Sequence, residues 1–462
     1  MFAGRQVLVA GAGVTGRSAV PVLLELGASV TVTDGDAGRL AEFEGTGART
    51  APGLTEPPPG TDLVLTSPGW RPTSPLLVAA AEAGIEVIGD VELAWRLGQL
   101  REKPPVWLAV TGTNGKTTTV GMLESILRAA GHNAVACGNV GFAVLDAVQA
   151  GYDVLAVELS SFQLHWSSTL APHAAVVLNL AEDHLDWHGT MEAYAAAKAK
   201  LLEHAGVVVH NADDAWSTRL AAAANESARH VGFRLDTPAP GELGLVEDLL
   251  VDRAYVPEPA TSAEELCTVA DVRPAGPHNL ANALAASALA RAYGVSTEQV
   301  AEGLRKFQPG AHRAVEVGEV DGVRYINDSK ATNPHGAASS LFAHESVVWI
   351  AGGLLKGAHV DDLVAAVAGR LRGAVLLGTD AGVIATALAR HAPNVPVRQV
   401  PLGHDEPMSA AVEAARVLAR PGDVVLLAPA AASMDLFRDY AHRGNAFADA
   451  VRELRGGADD RG

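Results

Sequence analysis

Lys116 and Thr117 follow two closely spaced glycines in Gly112-Thr113-Asn114-Gly115-Lys116-Thr117-Thr118. Residue types in that order suit a phosphate cradle. The glycines let backbone N–H groups turn toward phosphate oxygens, the lysine reaches the outer phosphates, and the threonine hydroxyl is placed to ligate Mg²⁺. Strict P-loop spacing fails, because Val110 stands where its first glycine should be. The context supplies what the bare string lacks: an apolar run, Val106 to Val110, predicts a buried strand, and the residues after Thr117 can continue as a helix.

Other chemistry-bearing residues also fall where predicted strands end. Glu158 closes the strand Val154 to Val157, a suitable place for a carboxylate near Mg²⁺. The strand Ala174 to Leu180 runs into Glu182-Asp183-His184-Leu185-Asp186-Trp187-His188. His184 and His188 have the spacing of a zinc helix, but the carboxylates favour a harder ion. His184 is therefore read as a ligand of Mg²⁺ or Mn²⁺, and His188 as an ordinary residue. Lys198 and Lys200 lie two apart on the helix Met191 to Leu202, so at most one of them faces the site. Asn279 and Asn282 share one face of an alanine-rich helix beginning at Pro277-His278, where they could contact a nucleotide or simply line the helix. Asn139 sits in the turn Gly138-Asn139-Val140-Gly141.

A second glycine-rich turn, Gly11-Ala12-Gly13-Val14-Thr15-Gly16, follows the strand Gln6 to Ala10 and opens a helix at Ser18 to Leu26. The next strand, Ala28 to Thr33, ends at Asp34, which completes a dinucleotide fingerprint. Alone, that pattern suggests a nicotinamide enzyme, but any nucleotide with a diphosphate and a nearby hydroxyl satisfies it. The strand Leu63 to Thr66 ends in Ser67-Pro68-Gly69, which brings a second loop to the same edge.

The elements that must position these residues alternate strand and helix along 462 residues, a length that implies two to four domains. Polar, proline-containing sequence from Gln99 to Pro105 marks a linker, and the pattern restarts after Phe307-Gln308-Pro309-Gly310. Strands are then expected at Val315 to Glu319, Arg324 to Ile326, Val347 to Ala351, Ala374 to Leu377 and Val424 to Ala428, in a parallel, doubly wound sheet. The charged, glycine-rich segment from Arg455 to Gly462 is expected to be disordered.

A net charge of −18 with no basic run argues against nucleic acid as a partner. Cys137 and Cys267 lie far apart without metal spacing, which favours a reducing compartment. No apolar run reaches the roughly 18 residues of a membrane span, and no signal peptide is apparent. A soluble, cytoplasmic protein is expected.

GTNGKTT at Gly112 to Thr118, ELSSFQL at Glu158 to Leu164, EDHLD at Glu182 to Asp186, HNLANALAA at His278 to Ala286 and NDSKATN at Asn327 to Asn333 together resemble the Mur ligase family, in the family's order. Ser433 with Arg443-Gly444-Asn445 extends the likeness toward the D-glutamate-adding branch. The resemblance implies an α/β fold of three domains: a Rossmann-like UDP-binding domain at 1–102, a central P-loop-type mononucleotide-binding domain at 103–308 that takes ATP, and a Rossmann-like C-terminal domain at 309–462. It implies ATP-dependent joining of D-glutamate to UDP-N-acetylmuramoyl-L-alanine through an acyl phosphate, by a monomer. Lys116, Glu158, His184 and Lys198 become the catalytic set. Thr117, Glu158, His184 and a carbamate on Lys198 become ligands of Mg²⁺ or Mn²⁺. Gly112 to Thr118 with Asn279, Arg313 and Asp328 would surround ATP. Val14, Thr15, Asp34, Ser67, Asn139 and His184 would hold the UDP-sugar, and Lys330, Thr332, Lys356, Ser433, Met434 and Phe437 the glutamate. Two departures stand out: family members often carry Asp where this chain has Leu355, and RGNEF where it has RGN followed by Ala446 and Phe447.

Overall fold

Three sheets are built around central strands made almost wholly of buried apolar residues, a pattern expected when helices cover both faces, with more exposed strands at their edges. The computed structural model describes residues 2–310 and 312–459. The first sheet comprises β1 (Gln6–Ala10), β2 (Ser29–Thr33), β3 (Arg49–Thr50), β4 (Leu63–Thr66) and β5 (Glu86–Gly89) in the order β3-β2-β1-β4-β5, parallel throughout. The helix Val14–Glu25 packs Ala19, Val20 and Leu23 inward, so the glycine-rich turn lies at the carboxyl edge of β1.

The second sheet has nine strands: β6 (Val106–Thr111), β7 (Ala134–Gly138), β8 (Val154–Glu158), β9 (Ala174–Val177), β10 (Val207–Asn211), β11 (Arg229–Phe233), β12 (Glu242–Val246), β13 (Leu249–Asp252) and β14 (Glu264–Thr268). Their order is β14-β13-β12-β11-β10-β9-β6-β8-β7, with β13 antiparallel to both its neighbours. The helix Lys116–Ala129 leaves β6 and is backed by the helix Thr297–Lys306. There Ser125 Oγ donates to the Gly303 carbonyl at 2.7 Å. A Cβ on Gly303 would come within 2.3 Å of Ile126 Cα, so the two helices touch backbone to backbone.

The third sheet comprises β15 (Val315–Val320), β16 (Val323–Asn327), β17 (Val347–Gly352), β18 (Leu371–Leu377), β19 (Val397–Gln399) and β20 (Val424–Leu427), in the order β15-β16-β20-β17-β18-β19. It is not wholly parallel. β15 and β16 are joined by Asp321 and Gly322, both at positive φ, and so tight a turn can link only antiparallel strands. The final helix, Tyr440–Asp459, buries Phe447, Ala450 and Val451 and continues past Arg455, where the sequence suggested disorder. The last residues of that expectation, 460–462, lie outside the described residues.

Contacts group the first two sheets in one compact unit, Met1–Leu180 with Trp187–Asp271 and Ala281–Phe307. The third sheet lies in a second unit, Ala181–Asp186 with Val272–Leu280 and Gln308–Gly462. No helix of the described residues is long and apolar enough to cross a membrane.

Candidate active site

In the first unit the turn after β6 opens into the helix beginning at Lys116 through Gly115, at φ 85°. A Cβ at Gly115 would lie 2.3 Å from Asn282 Oδ1, so both the left-handed conformation and the close approach require glycine. Asn282 also accepts from the Thr119 hydroxyl at 3.3 Å, which ties the asparagine-bearing helix to the loop. Asn179, just past β9, accepts from the Asn114 N–H at 2.9 Å and donates to the Asn114 carbonyl at 3.2 Å. The Lys116 ammonium donates to the carbonyls of Gly112 at 3.0 Å and Thr113 at 2.9 Å.

Glu158 is buried at the end of β8, with both carboxylate oxygens engaged. The Thr117 hydroxyl donates to one at 2.6 Å and the Asn139 amide to the other at 2.9 Å. Lys198 is 1% exposed and points under the loop, donating to the Gly112 carbonyl at 2.9 Å and the Thr111 hydroxyl at 3.3 Å. Its ammonium lies 4.7 Å from the centre of the Tyr194 ring, and Tyr194 in turn meets the Thr113 hydroxyl at 3.1 Å. Lys200 turns away, bonding the His165 carbonyl at 2.7 Å. Helix geometry thus separates the two lysines as their spacing requires. His188 is not an isolated surface histidine: its Nε2 lies 2.9 Å from Ser161 Oγ, within the ELSSFQL stretch.

Thr117 and Glu158 offer hard oxygen donors at one strand end, which suits Mg²⁺ completed by phosphate oxygens and water. Among the described residues no group of three or more His, Cys, Asp and Glu side chains is arranged to hold a metal. The Lys198 amine is a hydrogen-bond donor as it stands and becomes a ligand only if it carries a carbamate.

At the first sheet, Asp34 accepts from the Ala12 N–H at 2.8 Å and the Asp36 N–H at 3.0 Å. Burial pushes this carboxyl upward, but those N–H groups and the charge of Arg39 outweigh it and hold it below the usual range. Ser67 packs against the glycine-rich turn, its Oγ 2.3 Å from where a Cβ on Gly11 would sit. Thr15 is buried and Val14 exposed.

The second unit carries the remaining candidates. His184 adopts φ 54° and lies 3.6 Å from Asp183, whose carboxylate accepts from Asn333 at 3.2 Å. Asn279 is buried near the start of its helix, and burial with the charge of His335 pushes the neighbouring His278 down to about 4. Asp328, past β16, accepts from the Ala314 N–H at 3.2 Å and contacts the Ser340 hydroxyl. Burial pushes its carboxyl up to about 6 against the opposing pull of Ser340, Ala314 and Arg313. Lys330 places its ammonium 4.0 Å from the centre of the Tyr440 ring, a neighbour that sequence reading does not single out because nothing in its type or spacing marks it. Ser433 and Phe437 are buried, Met434 and Lys356 exposed, and Thr332 half-buried. Arg443 is fully buried and fastens three strand-end loops, donating to Ser329 Oγ at 3.0 Å, the Ser329 carbonyl at 2.9 Å, the Ala431 carbonyl at 3.0 Å and the Gly352 carbonyl at 3.4 Å.

The Mur ligase middle domain matches residues 110–290, and the Mur ligase glutamate ligase domain matches residues 312–431. Residues 3–68 match the alanine dehydrogenase/PNT C-terminal domain, a likeness confined to the first sheet. The chain is 58% identical to the UDP-N-acetylmuramoylalanine--D-glutamate ligase of Streptomyces coelicolor over 98% of its own length and 99% of the relative's. It is likewise 58% identical to the ligase of that name from Thermobifida fusca, with the same coverage. Among solved structures, UDP-N-acetylmuramate-alanine ligase MurC from Thermotoga maritima aligns over 97% of this chain and 99% of that one, with a TM-score of 0.57 at 20% identity. MurF from Acinetobacter baumannii covers 96% of this chain and 93% of that one, with a TM-score of 0.60 at 19% identity. The structural likeness speaks to the fold.

Proposed function

The chain belongs to the Mur ligase family, and from that premise we propose that it is an ATP-dependent ligase that joins D-glutamate to UDP-N-acetylmuramoyl-L-alanine in peptidoglycan precursor synthesis. The observation that carries the reading is the phosphate loop braced by Glu158, Asn139 and Lys198, in a chain that matches D-glutamate ligases from end to end. The proposed division of labour follows the domain boundaries 1–102, 103–308 and 309–462, for the UDP-sugar, ATP and glutamate respectively.

A carboxylate resists attack by an amine because oxide is a poor leaving group. Transfer of the ATP γ-phosphoryl to the alanyl carboxylate gives an acyl phosphate and ADP. The D-glutamate amine then attacks the acyl carbon, and the tetrahedral intermediate expels phosphate to leave the amide. Catalysis in this scheme is positioning and charge neutralisation. The loop N–H groups and Lys116 receive the phosphates. Thr117, Glu158 and a carbamate on Lys198, with His184, would hold Mg²⁺, which when bound supplies positive charge to the phosphoryl oxygens. Asn279, Arg313 and Asp328 would surround the nucleotide. Val14, Thr15, Asp34, Ser67 and Asn139 would hold the UDP-sugar, while Lys330, Thr332, Lys356, Ser433, Met434 and Phe437 would receive glutamate. The protein is proposed to act in the cytoplasm as a monomer.

The test is phosphate release from ATP in the presence of UDP-N-acetylmuramoyl-L-alanine, with D-glutamate, L-glutamate, L-lysine or meso-diaminopimelate added separately. Release that depends on D-glutamate alone supports the reading. Dependence on another amino acid moves the chain to a sister ligase, and release with none overturns the ligase chemistry.

A further inference from the structure

Lys356 follows a segment that the structure fixes from both sides. After β17, Gly353 adopts φ 129°, and a Cβ there would lie 2.1 Å from the Ala432 carbonyl. Leu354 and Ala432 exchange backbone hydrogen bonds at 2.8 and 2.9 Å, which ties the Lys356 loop to the segment that continues into Ser433. The next residue, Leu355, donates its N–H to the Asp380 carboxylate at 2.7 Å, while the Asp380 N–H donates to the Gly353 carbonyl at 3.0 Å. Lys356 itself sits at φ 53°, an uncommon conformation for a lysine.

Asp380 occupies the N-cap of the helix Ala381–His391 yet makes no side-chain bond to that helix. An aspartate there ordinarily accepts from its own helix's first N–H groups. Here the carboxylate is turned to the loop before Lys356 instead. The same loop contains the Leu355 departure. The Leu355 side chain is buried in the apolar cluster with Leu363 and Val364, so its backbone N–H is the group it presents to the carboxylate.

We infer that Asp380 is a positioning residue for the amino-acid substrate, holding Lys356 and the Ser433 loop in register by diverting its carboxylate from its own helix to the Leu355 N–H. The inference rests on the proposed glutamate-binding role of Lys356 and Ser433. Removing that carboxylate should therefore cost recognition of the amino acid selectively.

Asp380→Ser is too short to reach the Leu355 N–H. Asp380→Asn keeps an acceptor of the same reach. In the full-length protein, Asp380→Ser should raise the KM for D-glutamate about tenfold, the loss of one charge-assisted hydrogen bond. Its kcat and its KM for ATP and the UDP-sugar should stay within about twofold, with the unfolding temperature lowered by no more than about 2 °C. Asp380→Asn should stay within about threefold of wild type in every constant. A stable Asp380→Ser with an unchanged KM for D-glutamate, or one whose three KM values rise together as its unfolding temperature falls, overturns the inference. A wild-type protein whose phosphate release ignores D-glutamate overturns the functional reading itself, and the role of Lys356 with it.

Discussion

Asp328→Asn should make the protein more stable above neutral pH while lowering its activity. Asp328 sits past β16 with one oxygen on the Ala314 N–H and the other against the Ser340 hydroxyl. Burial is the largest influence on it and raises its carboxyl from 3.8 to about 6. A raised folded-state value means that the folded protein binds the proton more tightly than the unfolded chain. The group's stabilising contribution is therefore full below the unfolded value and lost as pH climbs through about 4 to 6. At pH 8 that loss amounts to about 3 kcal/mol, and at pH 4.5 to about 1 kcal/mol. The edge of Asp328 reaches solvent, so about half of each figure is the better expectation. Asparagine fits the same bonds, accepting from Ala314 and donating to Ser340, without a charge to desolvate. Unfolding followed by circular dichroism should place the Asp328→Asn transition about 1.5 °C above wild type at pH 8, with the gap narrowing as pH falls to 4.5. A variant no more stable than wild type at pH 8, or a gap that ignores pH, refutes the reasoning. In the proposed role beside ATP, phosphate release should fall at the same time, an exchange of stability for function.

Glu158→Gln leaves bonds available to both Thr117 and Asn139 but removes the charge. Phosphate release should fall at least about 100-fold while the unfolding temperature moves by no more than about 3 °C, and activity within fivefold of wild type would sink the ligand role. Lys198→Ala empties a buried site beneath the phosphate loop, so its activity should be lost and then partly restored by short carboxylates such as acetate or propionate. An enzyme that folds but that no carboxylate revives counts against a carbamate there.

The strand-loop-helix units that carry the proposed chemistry are legible in the sequence because each packs its evidence into neighbouring residues. An apolar run ending in polar residues was enough to locate β1, β4, β6 and β8, with a glycine turn marking the first three. The strands between Val207 and Thr268 escape that reading. They are short, mostly carry no chemistry at their ends, and are held by distant partners such as Arg291, which bonds Asp252 at 2.8 Å and Glu264 at 2.9 Å. The β15–β16 hairpin was visible as two strands but not as an antiparallel pair, since direction depends on the conformation of Asp321 and Gly322. Within the site, spacing alone established that Lys198 and Lys200 diverge, but not which one turns inward. Asn179, Tyr440 and Asp380 were invisible for another reason: each acts on a loop far from it in sequence.

Those loops are fixed by one arrangement used three times. Asp34 past β2 holds Ala12 past β1, Asn179 past β9 holds Asn114 past β6, and Asp380 past β18 holds Leu355 past β17, at 2.8, 2.9 and 2.7 Å. In every case the two strands are parallel neighbours, so a side-chain oxygen at one carboxyl edge meets a backbone N–H of the adjoining glycine-containing loop. Glycines alone would leave each loop free to wander, and ordering it at the moment of binding would weaken the ligand's hold. A side-chain acceptor bears that cost during folding instead. The acceptor is a carboxylate at two of the loops and an amide at the third, so the geometry of the parallel strand ends, rather than the charge of the acceptor, is what the three share.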